Sequence, residues 1–181
     1  MVSNNLYFHR ERIFMARPVI VCIGTDKIAG DALGPMVGDF LTEIYNVDAF
    51  VYGKSQKNVN GINFCHYERH IRAHHTDSLI VAVDSCLGSK ADIGAVKISS
   101  TGVKAGGALG KSNRRIGDIG ILGVVGEYGQ DNFNILKGVD KVFVQDLAFS
   151  IAARVVSMLK NLQDTAGFVQ LARNSRLSYG L

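Results

Sequence analysis

The chain has 181 residues, 47% hydrophobic and 20% charged, with 20 glycines and only 2 prolines. That size and balance fit one compact domain with its own core and exclude a fibrous, low-complexity or disordered protein. A formal charge of +4 permits weak attraction to anions, but no helix-turn-helix, zinc-finger or aromatic-rich RNA-binding pattern accompanies it, so no specific nucleic-acid partner is expected.

Residues 1–17 interleave polar and charged side chains and read as an N-terminal extension without the apolar core of a signal peptide. The uninterrupted apolar runs, such as 18–23 and 79–83, are too short to cross a bilayer. Cys22, Cys65 and Cys86 are odd in number and form no Cys-x-x-Cys pair, as expected of free thiols in a reducing compartment. A cytoplasmic protein without a membrane partner is the expectation.

In chain order, the β-branched run 19–23 has the pattern of a strand buried on both faces. Met36, Val37, Phe40, Leu41 and Ile44 recur at helical spacing and predict a helix over 33–45, with Pro35 tolerated in its first turn. Residues 49–52 form a second strand candidate, and a helix follows over 63–75. The run 79–83 reads as another doubly buried strand, 94–100 as a half-exposed one, and 119–125 as a further one. The positions Val142, Phe143, Leu147, Ile151, Val155 and Leu159 predict a long helix. Residues 163–181 read as a polar tail, either a short docked helix or a mobile segment. Strands alternating with helices indicate an α/β fold over one domain, 1–181.

Two acidic elements stand out: Gly24-Thr-Asp-Lys-Ile-Ala-Gly-Asp31-Ala-Leu-Gly-Pro35 and Val83-Asp84-Ser-Cys-Leu-Gly88. Each follows a strand-like run and places a carboxylate where that run ends, the end at which open α/β sheets bind ligands. Asp31 also has the position of a helix N-cap, and Asp26 that of an Asx-turn residue. Asp84 is harder to assign to structure, because a carboxylate leaving a buried strand is costly without partners. If Asp31 and Asp84 converge, repulsion raises the pKa of one and leaves an acid beside a base, suited to activating water; the alternative is a divalent-ion site.

His66, His70 and His74 share one face of the second helix, a spacing that ligates a metal but equally suits a solvated polar face. No acidic ligand is interleaved there in a known motif, so neither a metal site nor a cofactor is expected. Ser85 and Cys86 lack a neighbouring base and a Gly-x-Ser-x-Gly elbow, which speaks against a nucleophile. Ala105-Gly-Gly-Ala-Leu-Gly-Lys111-Ser112 has the letters of a phosphate loop, yet a strand-like run follows where such a loop must open a helix.

The motifs Ile23-Gly-Thr-Asp-(x)3-Gly-Asp-Ala-Leu-Gly-Pro35, Val51-Tyr-Gly53, Ala82-Val-Asp-Ser-Cys-Leu-Gly88 and Ile116-Gly-Asp-Ile-Gly-Ile121 together resemble the YyaC-type sporulation protein family over about 18–162. That family is similar to the spore germination protease, whose Asp-Ala-Leu-Gly-Pro and Ile-Asp-Ala-Leu elements carry its catalytic aspartates. The matching positions are Asp31 and Asp84. The resemblance extends to the hydrogenase maturation proteases and implies a three-layer α/β/α fold of phosphorylase/hydrolase-like type with a mostly parallel sheet.

It also implies an aspartate-dependent endopeptidase of sporulation, located in the forespore or spore core and acting on a protein or peptide. Asp26, Gly30 and Lys111 would shape the binding site, and a homo-oligomer stays open. The chain departs from its relatives in three ways. It has no histidine after the strand ending at Asp84, where the maturation proteases have one; Asn60 stands where the family commonly has histidine; and it lacks room for the pro-sequence and additional chain of the germination protease. A catalytically silent binding or regulatory protein on the same fold is the alternative, with nucleotide binding through residues 105–112 a weaker one.

Overall fold

The computed structural model describes residues 16–104 and 114–178, with the side chains of the last helix described to residue 165. Val19–Cys22 (β1) is buried at every position, as a continuous apolar strand must be when layers cover both sides of the sheet. Phe50–Tyr52 (β2) and Ile80–Gly88 (β3) flank it in parallel. Val96–Ser99 (β4) is an antiparallel edge strand, Val103–Lys104 (β5) and Arg115–Ile116 (β6) form a separate antiparallel pair, and Ile119–Glu127 (β7) lies parallel to β3. The main sheet has the order β2-β1-β3-β7-β4. The expected mostly parallel α/β architecture is present.

Alternation along β1 divides the core into two layers. Ile20 and Cys22 join Val81, Val83, Leu33 and Ile151 in one apolar cluster, while Val19, Val21 and Ile23 join Ala82, Phe64 and Ile71 in the other. The helix Leu33–Asp39 (α1) therefore lies against one layer and Phe64–His74 (α2) against the other. The helix expected over 33–45 is present but changes pitch at Phe40–Ile44, where one π-helical turn ends it.

Two elements correct the sequence reading. A short helix, Asn132–Gly138 (α3), follows β7, its start capped by Asp131 accepting from the Asn134 amide at 3.1 Å. The polar tail expected from residue 163 is instead the continuation of one helix, Lys141–Ser178 (α4). Its Val144, Leu147, Ala148, Ile151, Ala152, Val155 and Leu159 are buried on the sheet. Its segment Lys141–Thr165 is long and apolar enough to cross a membrane by length and composition, although the uninterrupted runs in the sequence had suggested no such segment. Those buried side chains are its core face, while Val142 and Phe149 on the same segment stay exposed.

Candidate active site

After β1 the chain goes to β2 on one side, then returns across β1 to β3 on the other. The carboxyl ends of β1 and β3 therefore flank a topological switch point, where open α/β sheets form their ligand crevice. Both acidic elements lie there.

The first element turns back on the end of β1. Gly24 takes φ 142°, and a Cβ on Gly34 would stand 2.0 Å from the Ile23 carbonyl oxygen, so only glycine lets α1 start this close to the strand. The Thr25 amide donates to the Asp31 carbonyl at 3.1 Å and closes the turn. Asp31 lies in a single 3-10 turn, Ala29–Ala32, and its side chain caps neither that turn nor α1. The capping alternative is therefore removed. Burial raises its pKa, opposed by the Thr25 backbone amide.

Asp84 sits differently from the sequence reading. It was expected just beyond a strand ending at Val83, but β3 runs on to Gly88 because β7 pairs with it from Asp84↔Leu122 to Gly88↔Glu127. The last β1 partner is Cys22↔Val83, so Asp84 is the first residue of β3 with no strand on its β1 side. There the Ser85 amide donates to Asp84 Oδ1 at 2.8 Å. Asp84 is only 4% exposed. Burial, then the nearby charge of Asp31, raise its pKa well above the ordinary carboxylate range, with the Ser85 amide pulling against them. The charge of Asp31, far away in sequence, thus acts on Asp84 in the fold, while burial and the Thr25 amide are what act on Asp31 itself.

The other expected site residues are placed less centrally. Asp26 is exposed in the turn after β1, where Thr25 Oγ1, rather than an Asx side chain, accepts from the Lys27 amide at 3.4 Å. Gly30 is buried, and a Cβ there would meet Leu136 Cδ2 of α3 at 2.9 Å, so its smallness serves helix packing. Lys111 and the phosphate-loop-like segment lie outside the described residues; Arg115–Ile116, just beyond, is strand rather than helix. Asp118 accepts from the Ile80 amide at 2.8 Å and fastens the start of β3.

The rim across from β3 is made by the segment after β2. Val59 bridges Ile23 and accepts from the Gly24 amide at 2.8 Å, while Asn58 bonds Thr25 and the Lys54 and Ser55 carbonyls. Asn60 accepts from the Ile62 amide at 3.0 Å and starts the turn into α2. His70 and His74 stack at 4.3 Å on the exposed face of α2, and His75 Nε2 pairs with the Tyr52 hydroxyl at 2.7 Å. Among the described residues, no group of three or more His, Cys, Asp or Glu is placed to hold a metal. Asn58 and α3 were missed in the sequence; the Asp131-x-x-Asn134 capping pattern was a usable signal for α3.

Comparison with known proteins matches these features. A family described as a protein of unknown function (DUF1256) covers residues 1–154. The uncharacterized protein YyaC of Bacillus subtilis (strain 168) is 32% identical over 134 residues, 74% of this chain; the match spans 65% of that relative's own length. Among solved structures, the hydrogenase maturation protease HycI from Thermococcus kodakarensis KOD1 is similar at a TM-score of 0.54 and 22% identity, covering 83% of this chain and 97% of that one. That last likeness is one of fold. The chain belongs to the DUF1256 family, the YyaC-type family.

Proposed function

We propose that the protein is a sporulation-associated peptidase in which Asp31 and Asp84 activate water against a peptide bond. The observation that carries this reading is the placement of both aspartates at the switch-point ends of β1 and β3, with Asp84 buried there and its pKa raised by that burial and then by the charge of Asp31. Such a pair holds one proton and one charge near neutrality. Asp31, the less buried, acts as base and takes a proton from water as its oxygen attacks the carbonyl carbon. Asp84 supplies its proton to the developing oxyanion and takes one back as the gem-diol collapses; the collapse breaks the carbon–nitrogen bond, and the amine leaves with the proton that Asp31 received.

Two further features support a protein substrate. Ile62, 97% exposed, and Tyr128, 66% exposed, stand in the segments that follow β2 and β7, at the aspartate end of the sheet. Apolar side chains there suit an extended peptide better than a small polar metabolite. The fold is also that of a protease, HycI, although that protein's own substrate is not carried over.

The test is cleavage of casein and of a spore-core protein extract by purified wild type, Asp31→Asn and Asp84→Asn. The reading expects fragments with wild type and a loss of roughly a hundredfold or more in each variant. Equal cleavage by all three sinks it. No cleavage by any of them, with substrate captured in an Asp31-dependent manner, favours the silent binding protein instead.

A further inference from the structure

Among the described residues, the buried polar and charged side chains are Asp84 and Ser85, each 4% exposed. Asp84 has the Ser85 amide. Among the described residues, the Ser85 hydroxyl has no hydrogen-bond partner. An unpaired hydroxyl in a protein interior is costly, and such groups are retained where water or a ligand completes them.

Its location says what that partner is. Alternation along β3 sets Ser85 on the face of Val81 and Val83, the layer that includes Leu33. Ser85 pairs with Gly123, and a Cβ on Gly123 would meet Leu33 Cδ1 at 2.8 Å. The hydroxyl is therefore on the side of the sheet where the Asp31 turn leads into α1. Because β1 has no residue paired with β3 beyond Val83, Ser85, like Asp84, belongs to the part of β3 that extends past β1 at the switch point.

We propose that Ser85 is a third polar member of the site, whose hydroxyl binds the water that Asp31 deprotonates. The inference deepens the peptidase reading and rests on it for its chemistry. Ser85 donates its hydroxyl proton to the water oxygen while the water donates to the Asp31 carboxylate. Asp31 then takes the water proton, the oxygen lone pair goes to the carbonyl carbon, and Ser85 remains protonated throughout. Ser85 forms no covalent bond.

Ser85→Ala separates this role from a structural one. A hydroxyl with no protein partner leaves the melting temperature unchanged or raised when removed, whereas a structural hydrogen bond lowers it. A wild-type crystal structure that orders waters is expected to show one within about 3.2 Å of both Ser85 Oγ and an Asp31 carboxylate oxygen, absent in Ser85→Ala. Turnover of casein by Ser85→Ala should fall roughly tenfold or more with KM little changed.

A Ser85 hydroxyl bonded to protein, or lying dry, overturns the inference. So does unchanged turnover in Ser85→Ala while wild type cleaves, a result that leaves the peptidase reading standing. A bridging water in a wild type that cleaves nothing keeps the Ser85 water site and removes the peptidase.

Discussion

Replacing Asp84 with asparagine should move stability and activity in opposite directions. The substitution keeps the volume of the side chain and an oxygen to accept from the Ser85 amide, so neither cavity nor orphaned amide is created. What it removes is a group whose folded-state pKa is raised, foremost by burial and then by Asp31. With the folded value above the unfolded one, the native protein keeps a proton that the unfolded chain has released. Wild-type stability is therefore fullest below the ordinary aspartate range and falls as pH rises toward the folded pKa.

A single group changes stability by at most about 1.4 kcal/mol per pH unit in that window, and the loss stops once native Asp84 ionises. Asp84→Asn is flat in this respect, so its advantage over wild type should grow with pH by up to that slope. Urea unfolding followed by circular dichroism at about pH 5, 6, 7 and 8 measures both curves. Over the same range the variant should lose about 10²–10⁴-fold in cleavage, equivalent to about 3–5 kcal/mol of barrier. Parallel stability curves, or a variant less stable than wild type at every pH, would refute the reasoning.

Gly34→Ala should cost about 3 kcal/mol by chemical denaturation, since its Cβ meets the Ile23 carbonyl oxygen at 2.0 Å and backbone on both sides must shift. Cleavage should fall with it, because the same close approach positions Asp31. Ile151→Ala on the buried face of α4 should cost about 2–5 kcal/mol with the substrate KM unchanged, as a cavity away from the crevice does. Asp118→Ala, which strips the Ile80 amide of its partner at the start of β3, should cost about 1 kcal/mol by the same assay.

The strands and helices that carry the site were readable because each is periodic over its own length. The run Val19–Cys22 is apolar throughout, and Phe64 and Ile71 mark the buried side of α2. The full extent of β3 was not readable in the same way. Asp84, Ser85 and the residues after them break the apolar pattern, and their extended conformation depends on hydrogen bonds to β7, which comes later in the chain. Local pattern carries no such information.

The continuation of α4 beyond residue 163 escaped for a related reason. Once a helix is nucleated and packed through Val155 and Leu159, each added turn costs little, so it outlasts the apolar stripe that reveals it. At the site, the two Asp motifs pointed to the carboxyl ends of two strands, and those strands, β1 and β3, are neighbours in the sheet. Gly30 was read as part of the turn that shapes the site; that a Cβ there would meet Leu136 depends on α3, which had not been recognised. Ser85 could only be weighed as a nucleophile, since burial without a partner is a property of the folded chain.

The central claim is that Asp31 and Asp84 titrate as one site. Carboxyl-carbon NMR titration of wild type and Asp31→Asn tests it without any substrate. The account predicts an Asp84 midpoint well above the ordinary aspartate range in wild type and a lower one in Asp31→Asn, where the neighbouring charge is gone but burial remains. An Asp84 midpoint that is ordinary in wild type, or unmoved by Asp31→Asn, would contradict it.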